Sequence, residues 1–328
     1  MQTRSLTPEG PQVSEIGYGG WAIEGRIGDQ KEETSLTAMN AAIDSGINII
    51  DTGAGYGHGS REAMIRKVLA TRSEEILIAT KTPPTEGPWP PSPYCRWQDR
   101  YSAAFLRDQV HHQLTNLKRE RIDVLQLQTW TSAWNDDPQP LLVLRQLKEQ
   151  GKIGMIGVTA PENDQACVVQ LMRDGLIDVI QVVFNLFQQE PAAQILPVAQ
   201  ETGTGVLVHA VLDGGSLTGK YPSDHQFSEG DSRRAFFEGD RQLRTSQRMA
   251  AIQRDLERFE LEDQYSLREV ALKFALARSE VSSVLVGMRN KNHVEQNCRV
   301  SGRRDLNPDF LQHLRRHHWR RGVWSSGK

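Results

Sequence analysis

Short runs of apolar residues rich in Val and Ile recur along the chain, and most are separated by stretches with helical periodicity. The apolar runs lie at 13–19, 47–51, 76–81, 122–128, 153–159, 177–185, 205–210 and 282–287. The helical stretches include 32–45, 103–118, 141–150, 164–173 and 192–201. This pattern predicts eight strands that alternate with helices.

The apolar runs are continuous and do not alternate with polar residues, which indicates that both faces of each strand are covered. A parallel sheet with helical crossovers provides such cover, and eight units predict a closed (β/α)8 TIM barrel. We therefore expect residues 1–328 to form one barrel domain. Two long loops, 82–101 and 213–241, follow predicted strands and should lie on the face where the carboxyl ends of the strands meet.

Composition narrows the possible functions. The 39 Lys and Arg residues nearly balance the 41 Asp and Glu residues, giving a net charge of −2, which argues against a nucleic-acid binder that works by bulk charge. The apolar runs are far shorter than the roughly 20 residues that cross a bilayer, so we expect no membrane partner. The first ten residues lack the apolar stretch of a secretory signal, which makes a cytoplasmic location the expectation.

Other residue clusters suggest no further site. The three cysteines are widely spaced and form no Cys-x-x-Cys pair, so we expect neither disulfides nor a thiolate metal site. The basic cluster RRHHWRR at 315–321 is interpreted as part of a C-terminal helix that packs across the barrel, because the whole chain is nearly neutral.

Two neighbouring predicted strands end in charged residues, and the loop after the first of them contains a tyrosine. Asp51 ends INIID, Lys81 ends ILIATK, and Tyr56 follows Asp51 in the glycine-rich loop TGAGYGHG. Neighbouring strands lie about 4.8 Å apart, so Asp51 and Lys81 can pair directly. An ammonium beside the phenol should lower the pKa of Tyr56 and make it a general acid, while Asp51 keeps Lys81 charged.

A proton donor without a nucleophile suits the addition of hydride and a proton to a carbonyl. The hydride must come from a cofactor, because no side chain supplies one.

These segments resemble the aldo-keto reductase family over nearly the whole chain. INIIDTGAGYGHGSRE and IATK are similar to the family's strands and loop that bear the catalytic Asp, Tyr and Lys. IGVTA and QVVFN resemble its nicotinamide-binding strands, and GSLTGKY and VGMRNKNHVEQN resemble its phosphate-binding segments. The resemblance implies a (β/α)8 barrel that binds NADPH in an extended pose, with Asp51, Tyr56, Lys81 and Gln128 in the catalytic site.

The same resemblance implies a set of cofactor contacts. Thr159 and Gln181 would orient the nicotinamide, and Arg289 would bind the 2′-phosphate of NADPH with its guanidinium. Lys220 would lie in the loop that closes over the pyrophosphate. The full implied set is Gly20, Trp21, Thr159, Gln181, His209, Leu212, Gly214, Leu217, Lys220, Gly287, Met288, Arg289, His293, Gln296 and Asn297.

The sequence departs from the family pattern at three positions. Gln128 stands where a catalytic His is expected; an amide can donate a hydrogen bond but cannot relay a proton. Ala160 replaces an Asn that contacts the carboxamide, and His209 replaces an aromatic residue that stacks on the nicotinamide.

These departures leave alternatives open. The leading hypothesis is an NADPH-dependent oxidoreductase acting on a carbonyl or activated C=C bond of a small organic molecule. The alternatives are an NADPH-binding regulatory protein with negligible turnover and an epimerase that uses the nicotinamide as an internal redox partner. The substrate, the physiological direction and the oligomeric state are left open by the sequence. Trp89, Tyr94 and Trp97 are expected to form a wall of the substrate pocket.

Overall fold

Eight parallel strands close into a barrel in the computed structural model, which describes residues 1–23 and 31–319. Two short strands precede the barrel and pair as an antiparallel hairpin, β1 (Thr3–Ser5) and β2 (Gln12–Ser14). The barrel strands are β3 (Ile16–Gly19), β4 (Ile49–Asp51), β5 (Leu77–Thr82), β6 (Ile122–Leu127), β7 (Ile153–Thr159), β8 (Val179–Val183), β9 (Gly205–His209) and β10 (Ser283–Val286). Each pairs with the next, and β10 pairs with β3 to close the cylinder. The predicted (β/α)8 fold is confirmed.

Helices surround the barrel. They are α1 (Glu32–Asp44), α2 (Ser60–Leu69), α3 (Ala103–Leu117), α4 (Gln139–Glu149), α5 (Val169–Arg173), α6 (Pro191–Thr202), α7 (Arg233–Phe236), α8 (Arg241–Arg258), α9 (Leu267–Leu276), α10 (Lys291–Cys298) and α11 (Pro308–Leu314). The helix expected at 164–173 is divided, with a 3₁₀ turn at Gln165–Val168 before α5. The Gln165 side chain binds both backbone groups of Val183, which ties this turn to the sheet.

Inside the barrel, the inward-facing side chains of the strands form an apolar layer and, nearer the carboxyl ends, a polar layer. A buried apolar layer contains Ile49, Ala79, Val124, Val179 and Leu207, one from each of five strands. Because residues i and i+2 of a strand point to the same face, the next inward position on each strand is polar. Those positions, one step nearer the carboxyl ends, are Asp51, Lys81, Gln126, Gln181 and His209.

The N-terminal hairpin closes the opposite end of the barrel. Leu6 and Val13 are fully buried and belong to the same apolar cluster as the inward-facing strand residues. The sequence pattern placed Val13 in the first barrel strand, but the chain turns between Ser14 and Ile16 and uses Val13 as part of a plug. Each hairpin strand has only three residues, too few for a period of two to be recognised.

The C-terminal segment packs against α8 and the loop after β8. Both His313 and His317 contact the Asp255 carboxylate, at 3.0 and 2.7 Å, and the Trp319 backbone N–H donates to Phe187. The expected C-terminal helix is α11, but it ends at Leu314, so the 315–321 cluster follows the helix and is not part of it. Arg315–His317 form a 3₁₀ turn, and residues 320 and 321 lie outside the described residues. No helix within the described ranges is long and apolar enough to cross a bilayer.

Candidate active site

An ion pair lies buried at the carboxyl ends of β4 and β5. The Lys81 ammonium lies 2.5 Å from the Asp51 carboxylate and also donates to the Thr52 carbonyl at 3.0 Å. Both charged side chains are almost completely buried. Burial alone would lower the pKa of Lys81, but Asp51 and Tyr56 outweigh it and the pKa is raised. Lys81 is therefore held as a cation.

Tyr56 reaches back over this ion pair from the loop after β4. The Lys81 nitrogen lies 5.3 Å from the centre of the Tyr56 ring, and the phenol and the ammonium shift each other's pKa. Gly53 makes room for the ring, because a Cβ at that position would lie 3.3 Å from two ring carbons. Gly53 therefore allows the loop to fold back so that the phenol of Tyr56 lies against Lys81.

The acidity of Tyr56 differs from the expectation. Burial raises the pKa of Tyr56 above its ordinary value, and this outweighs Lys81 and Arg61, which lower it. The prediction that Lys81 lowers the pKa of Tyr56 is correct, but the predicted net lowering is wrong. The phenolate on the cleft floor would lose much of its hydration, which disfavours the charged form. The phenol therefore carries its proton at neutral pH, as a proton donor must.

Three amide side chains and a threonine lie near the pair at the barrel mouth. The Gln181 amide donates to Asp51 at 2.8 Å, and the Thr159 hydroxyl donates to Gln126 at 3.3 Å. The Gln128 Oε1 atom is buried and has no hydrogen-bond partner within the described ranges. The sequence analysis missed Gln126, although the period of two in LQLQ places it on the same inward face as Gln128.

His209 ends β9 beside the ion pair. Burial, with a smaller contribution from Lys81, lowers the pKa of His209 to about 3, so the imidazole is neutral at physiological pH. Its Nε2 atom is buried without a hydrogen-bond partner in the described part of the chain. A neutral ring with an available polar atom can stack on, or bond to, a bound molecule in the cleft.

A cleft of about 630 Å³ extends from this floor across the barrel mouth. Its volume is that of a typical ligand site. All but four of the residues implied by the family resemblance line it: Trp21, Asp51, Tyr56, Lys81, Gln128, Thr159, Gln181, His209, Leu212, Gly214, Lys220, Gly287, Arg289, His293 and Asn297.

The remaining four residues do not line the cleft. Leu217 and Met288 are buried, and Gln296 donates its amide to Asn292. Gly20 packs against the backbone of β4, because a Cβ there would lie 2.5 Å from the Asp51 carbonyl oxygen. A side chain at position 20 would therefore displace the strand that carries Asp51.

Cations converge in the part of the cleft next to the loop that follows β10. Arg268 and Arg233, which the sequence analysis missed, join the implied Lys220, Arg289 and His293. Burial and the neighbouring Arg233 lower the pKa of Arg289, and burial together with Arg268, Lys220 and Arg289 lowers that of His293. Asp231 pairs with Arg233 at 2.5 Å and partly offsets this effect. A further anion among these cations would be stabilised by them.

The loop at 82–101 contributes less to the cleft than expected. Trp89 and Pro90 line it, together with Trp21. Tyr94 is 96% exposed, and the Trp97 indole donates to Asp137, so neither belongs to the wall. Each of the two tryptophans in the cleft is more than a third exposed, which leaves apolar surface available to a substrate.

Comparisons with known proteins agree with this architecture. The chain is similar to aldo-keto reductase YhdN of Bacillus subtilis, with 31% identity over 71% of this chain and 69% of the relative. It is also similar to the NADH-specific methylglyoxal reductase of Escherichia coli, with 25% identity over 87% of this chain and 89% of that protein. In fold it resembles the holo form of aldo-keto reductase AKR11C1 from Bacillus halodurans, with a TM-score of 0.76, 22% identity and full coverage of both chains.

The profile of the Aldo/keto reductase family matches residues 15–318, from the start of the barrel to the C-terminal segment. This span includes the Asp51–Lys81 pair, Tyr56 and the cationic end of the cleft. The chain is therefore a member of the aldo/keto reductase family, whose enzymes are oxidoreductases that use nicotinamide cofactors.

Proposed function

We propose that the protein is an NADPH-dependent reductase that adds hydride and a proton to a carbonyl or activated C=C bond of a small organic molecule, with Tyr56 as the proton donor. The observation that carries this proposal is the buried ion pair between Asp51 and Lys81, with the Tyr56 ring 5.3 Å from the lysine nitrogen. The site contains a protonated acid with a cation beside it and lies in a cleft of about 630 Å³.

The residues present fit a nicotinamide dinucleotide. At the catalytic end, Thr159, Gln181 and His209 present polar groups where a carboxamide and ring would lie, and the buried His209 Nε2 atom has no partner in the described residues. At the other end, cations surround a space suited to phosphates. Gly214, with a φ of 65°, lies in the loop after β9 and lines the same cleft. When bound, the nicotinamide supplies the hydride.

The side chains of this protein donate the proton and stabilise the negative charge that its transfer leaves behind. Tyr56 donates it to the substrate atom that becomes negative, and Lys81 stabilises the phenolate that remains. Asp51 keeps Lys81 charged and oriented. Gln128 can hydrogen-bond the substrate oxygen but cannot exchange a proton with it, so Tyr56 is the acid.

The raised pKa of Tyr56 predicts the pH dependence. Reduction requires the protonated phenol, so kcat/KM for reduction should stay level from neutral pH to about 10, the ordinary phenol value, and fall only above it. Oxidation of an alcohol requires the phenolate and should accelerate as the pH rises. Steady-state rates in both directions across this range measure the effect. A decline in reduction near neutral pH would show that a more acidic group donates the proton.

The preference for NADPH over NADH depends on the cationic end of the cleft. Replacing Arg289 by Ala should raise the KM for NADPH about 10- to 100-fold, the value of one charge-assisted hydrogen bond, and leave the KM for NADH nearly unchanged. Lys291→Ala, which removes an exposed cation of the adjacent helix, is the matched control. Equal effects of Arg289→Ala on both nucleotides would contradict the assignment; the NADH-specific relative from Escherichia coli makes this comparison informative.

The central experiment is a single-turnover assay. Protein loaded with NADPH is mixed with a panel of aldehydes, ketones and enones, and loss of the reduced nicotinamide absorbance is followed while the products are identified. Oxidation by any of these substrates supports the reductase. Tight NADPH binding without oxidation by any of them would instead favour the regulatory alternative.

A further inference from the structure

Arg268 is a cation of the cleft that binds no group of the protein itself. It is the second residue of α9, its side chain is half-buried, and it lines the same cleft as Arg289 and His293. Among the residues that the structure describes, its guanidinium has no hydrogen bond and no ion pair. All of its hydrogen-bond donors are therefore free to bind a molecule in the cleft.

The carboxylate next to Arg268 in the chain is bound to other groups. Glu269 accepts hydrogen bonds from the backbone N–H and the hydroxyl of Ser266, and it is paired with Arg303. Burial lowers the pKa of Arg268, and the attraction of Glu269 does not offset this. The first turn of a helix also disfavours a cation because of the helix dipole. The protein alone thus leaves the charge of Arg268 poorly compensated.

The loop after β9 lies directly against the start of α9. Gly219 has a φ of 70°, and a Cβ at that position would lie 2.7 Å from the Cδ1 atom of Leu267. The residues that follow these two in the chain, Lys220 and Arg268, both line the cleft. This contact between the loop and the helix therefore brings two cations from distant parts of the sequence to one region of the cleft.

His293 identifies the region that Arg268 faces. Its Nδ1 atom accepts a hydrogen bond from the backbone N–H of Arg289 at 3.4 Å, which holds the ring near the start of α10. Burial lowers the pKa of His293, and Arg268 lowers it further, more than Lys220 or Arg289 does. Arg268 therefore belongs to the group of cations around Arg289 and His293.

The charge of a phosphate determines how many cations balance it. A phosphate monoester carries about 1.5 to 2 negative charges at neutral pH, whereas each phosphate of a pyrophosphate diester carries about one. Asp231, which pairs with Arg233, also attracts Arg289 and offsets part of its charge. Arg268 supplies a second guanidinium with no such carboxylate bound to it, so the two arginines together suit a monoester. The 2′-phosphate of NADPH is a monoester, and NADH lacks it.

We propose that Arg268 binds the 2′-phosphate of NADPH together with Arg289 and is a second determinant of the preference for NADPH over NADH. This inference rests on the proposed function, because it concerns the same cofactor cleft. Neither of the phosphate-binding segments identified in the sequence contains Arg268.

The test measures nucleotide binding without turnover, by fluorescence titration and calorimetry. Arg268→Met should weaken the binding of NADPH and of adenosine 2′,5′-bisphosphate about 10-fold, the value of one charge-assisted hydrogen bond at a half-exposed site. The binding of NADH and of adenosine 5′-diphosphate should change by less than about twofold. Arg268→Lys, which retains the charge without the planar fork, should keep part of the preference. Arg258→Met removes an exposed cation of α8 outside the cleft and should change none of these affinities.

The outcomes separate this inference from the proposed function. Affinities of Arg268→Met that coincide with those of Arg258→Met would overturn the inference alone. Equal weakening of NADPH and NADH would also overturn it, because Arg268 would then bind a part that both nucleotides share. An original chain that binds neither nucleotide would refute the proposed function and the inference together. If Arg268→Met does not fold, Arg268→Gln takes its place with the same expected loss.

Discussion

Replacing Tyr56 by Phe should reduce turnover by about 100- to 10,000-fold, the usual contribution of a positioned general acid, while the affinity for NADPH stays nearly unchanged. The substitution removes only the hydroxyl and leaves the ring in place beside the Lys81 ammonium. Binding should persist because the cations at the far end of the cleft are untouched. Single-turnover rates and nucleotide titrations of the variant measure the two quantities separately.

The control for this experiment is Tyr94→Phe. Tyr94 is 96% exposed in the loop after β5, so loss of its hydroxyl should change neither rate nor affinity. Undiminished turnover of Tyr56→Phe would exclude Tyr56 as the proton donor. A parallel loss of NADPH binding would show that the hydroxyl acts on the cofactor instead.

Replacing Lys81 by Met should impair both catalysis and folding. The reaction should slow by about 100- to 1,000-fold, the effect of removing one group that stabilises developing charge. The free energy of unfolding should fall by about 3 to 5 kcal/mol, because the Asp51 carboxylate remains buried without its ammonium. Rates at saturating substrate and denaturant unfolding curves measure the two losses.

The double variant Asp51→Asn, Lys81→Met separates these two effects. Removing both charges should restore most of the stability, since an asparagine oxygen can still accept the hydrogen bond from Gln181. Activity should remain low, because no cation of β5 is left beside Tyr56. Recovery of turnover together with stability would mean that Lys81 serves the fold and not the reaction.

Much of the floor of the candidate site could be predicted from local sequence. Asp51 and Lys81 end neighbouring apolar runs, and the strand period places both on the inward face above an apolar layer. The glycine-rich loop that carries Tyr56 could also be predicted, because it directly follows the apolar run that ends in Asp51. Gln126 could have been found from the alternation in LQLQ, which points it inward with Gln128.

Other features depended on contacts that no local pattern encodes. Arg61 reads as an ordinary surface residue of an amphipathic helix until the turn at 57–59 places it against Tyr56. Arg233 and Arg268 reach the cleft from separate segments, and both were missed. The plug formed by Leu6 and Val13 was also missed, because its strands are short and find their place only against the completed barrel.

The sequence by itself determined the eightfold alternation of strand and helix and the polar residues at the strand ends, because these depend on periodicities of two and 3.6 residues within single segments. The family followed from the resemblance of several segments to those of known reductases. Only the tertiary structure decided which cations share the cleft and whether the pKa of Tyr56 rises or falls. The reason is that desolvation and Coulomb interaction depend on which distant segments exclude water from a group, and chain order does not fix that.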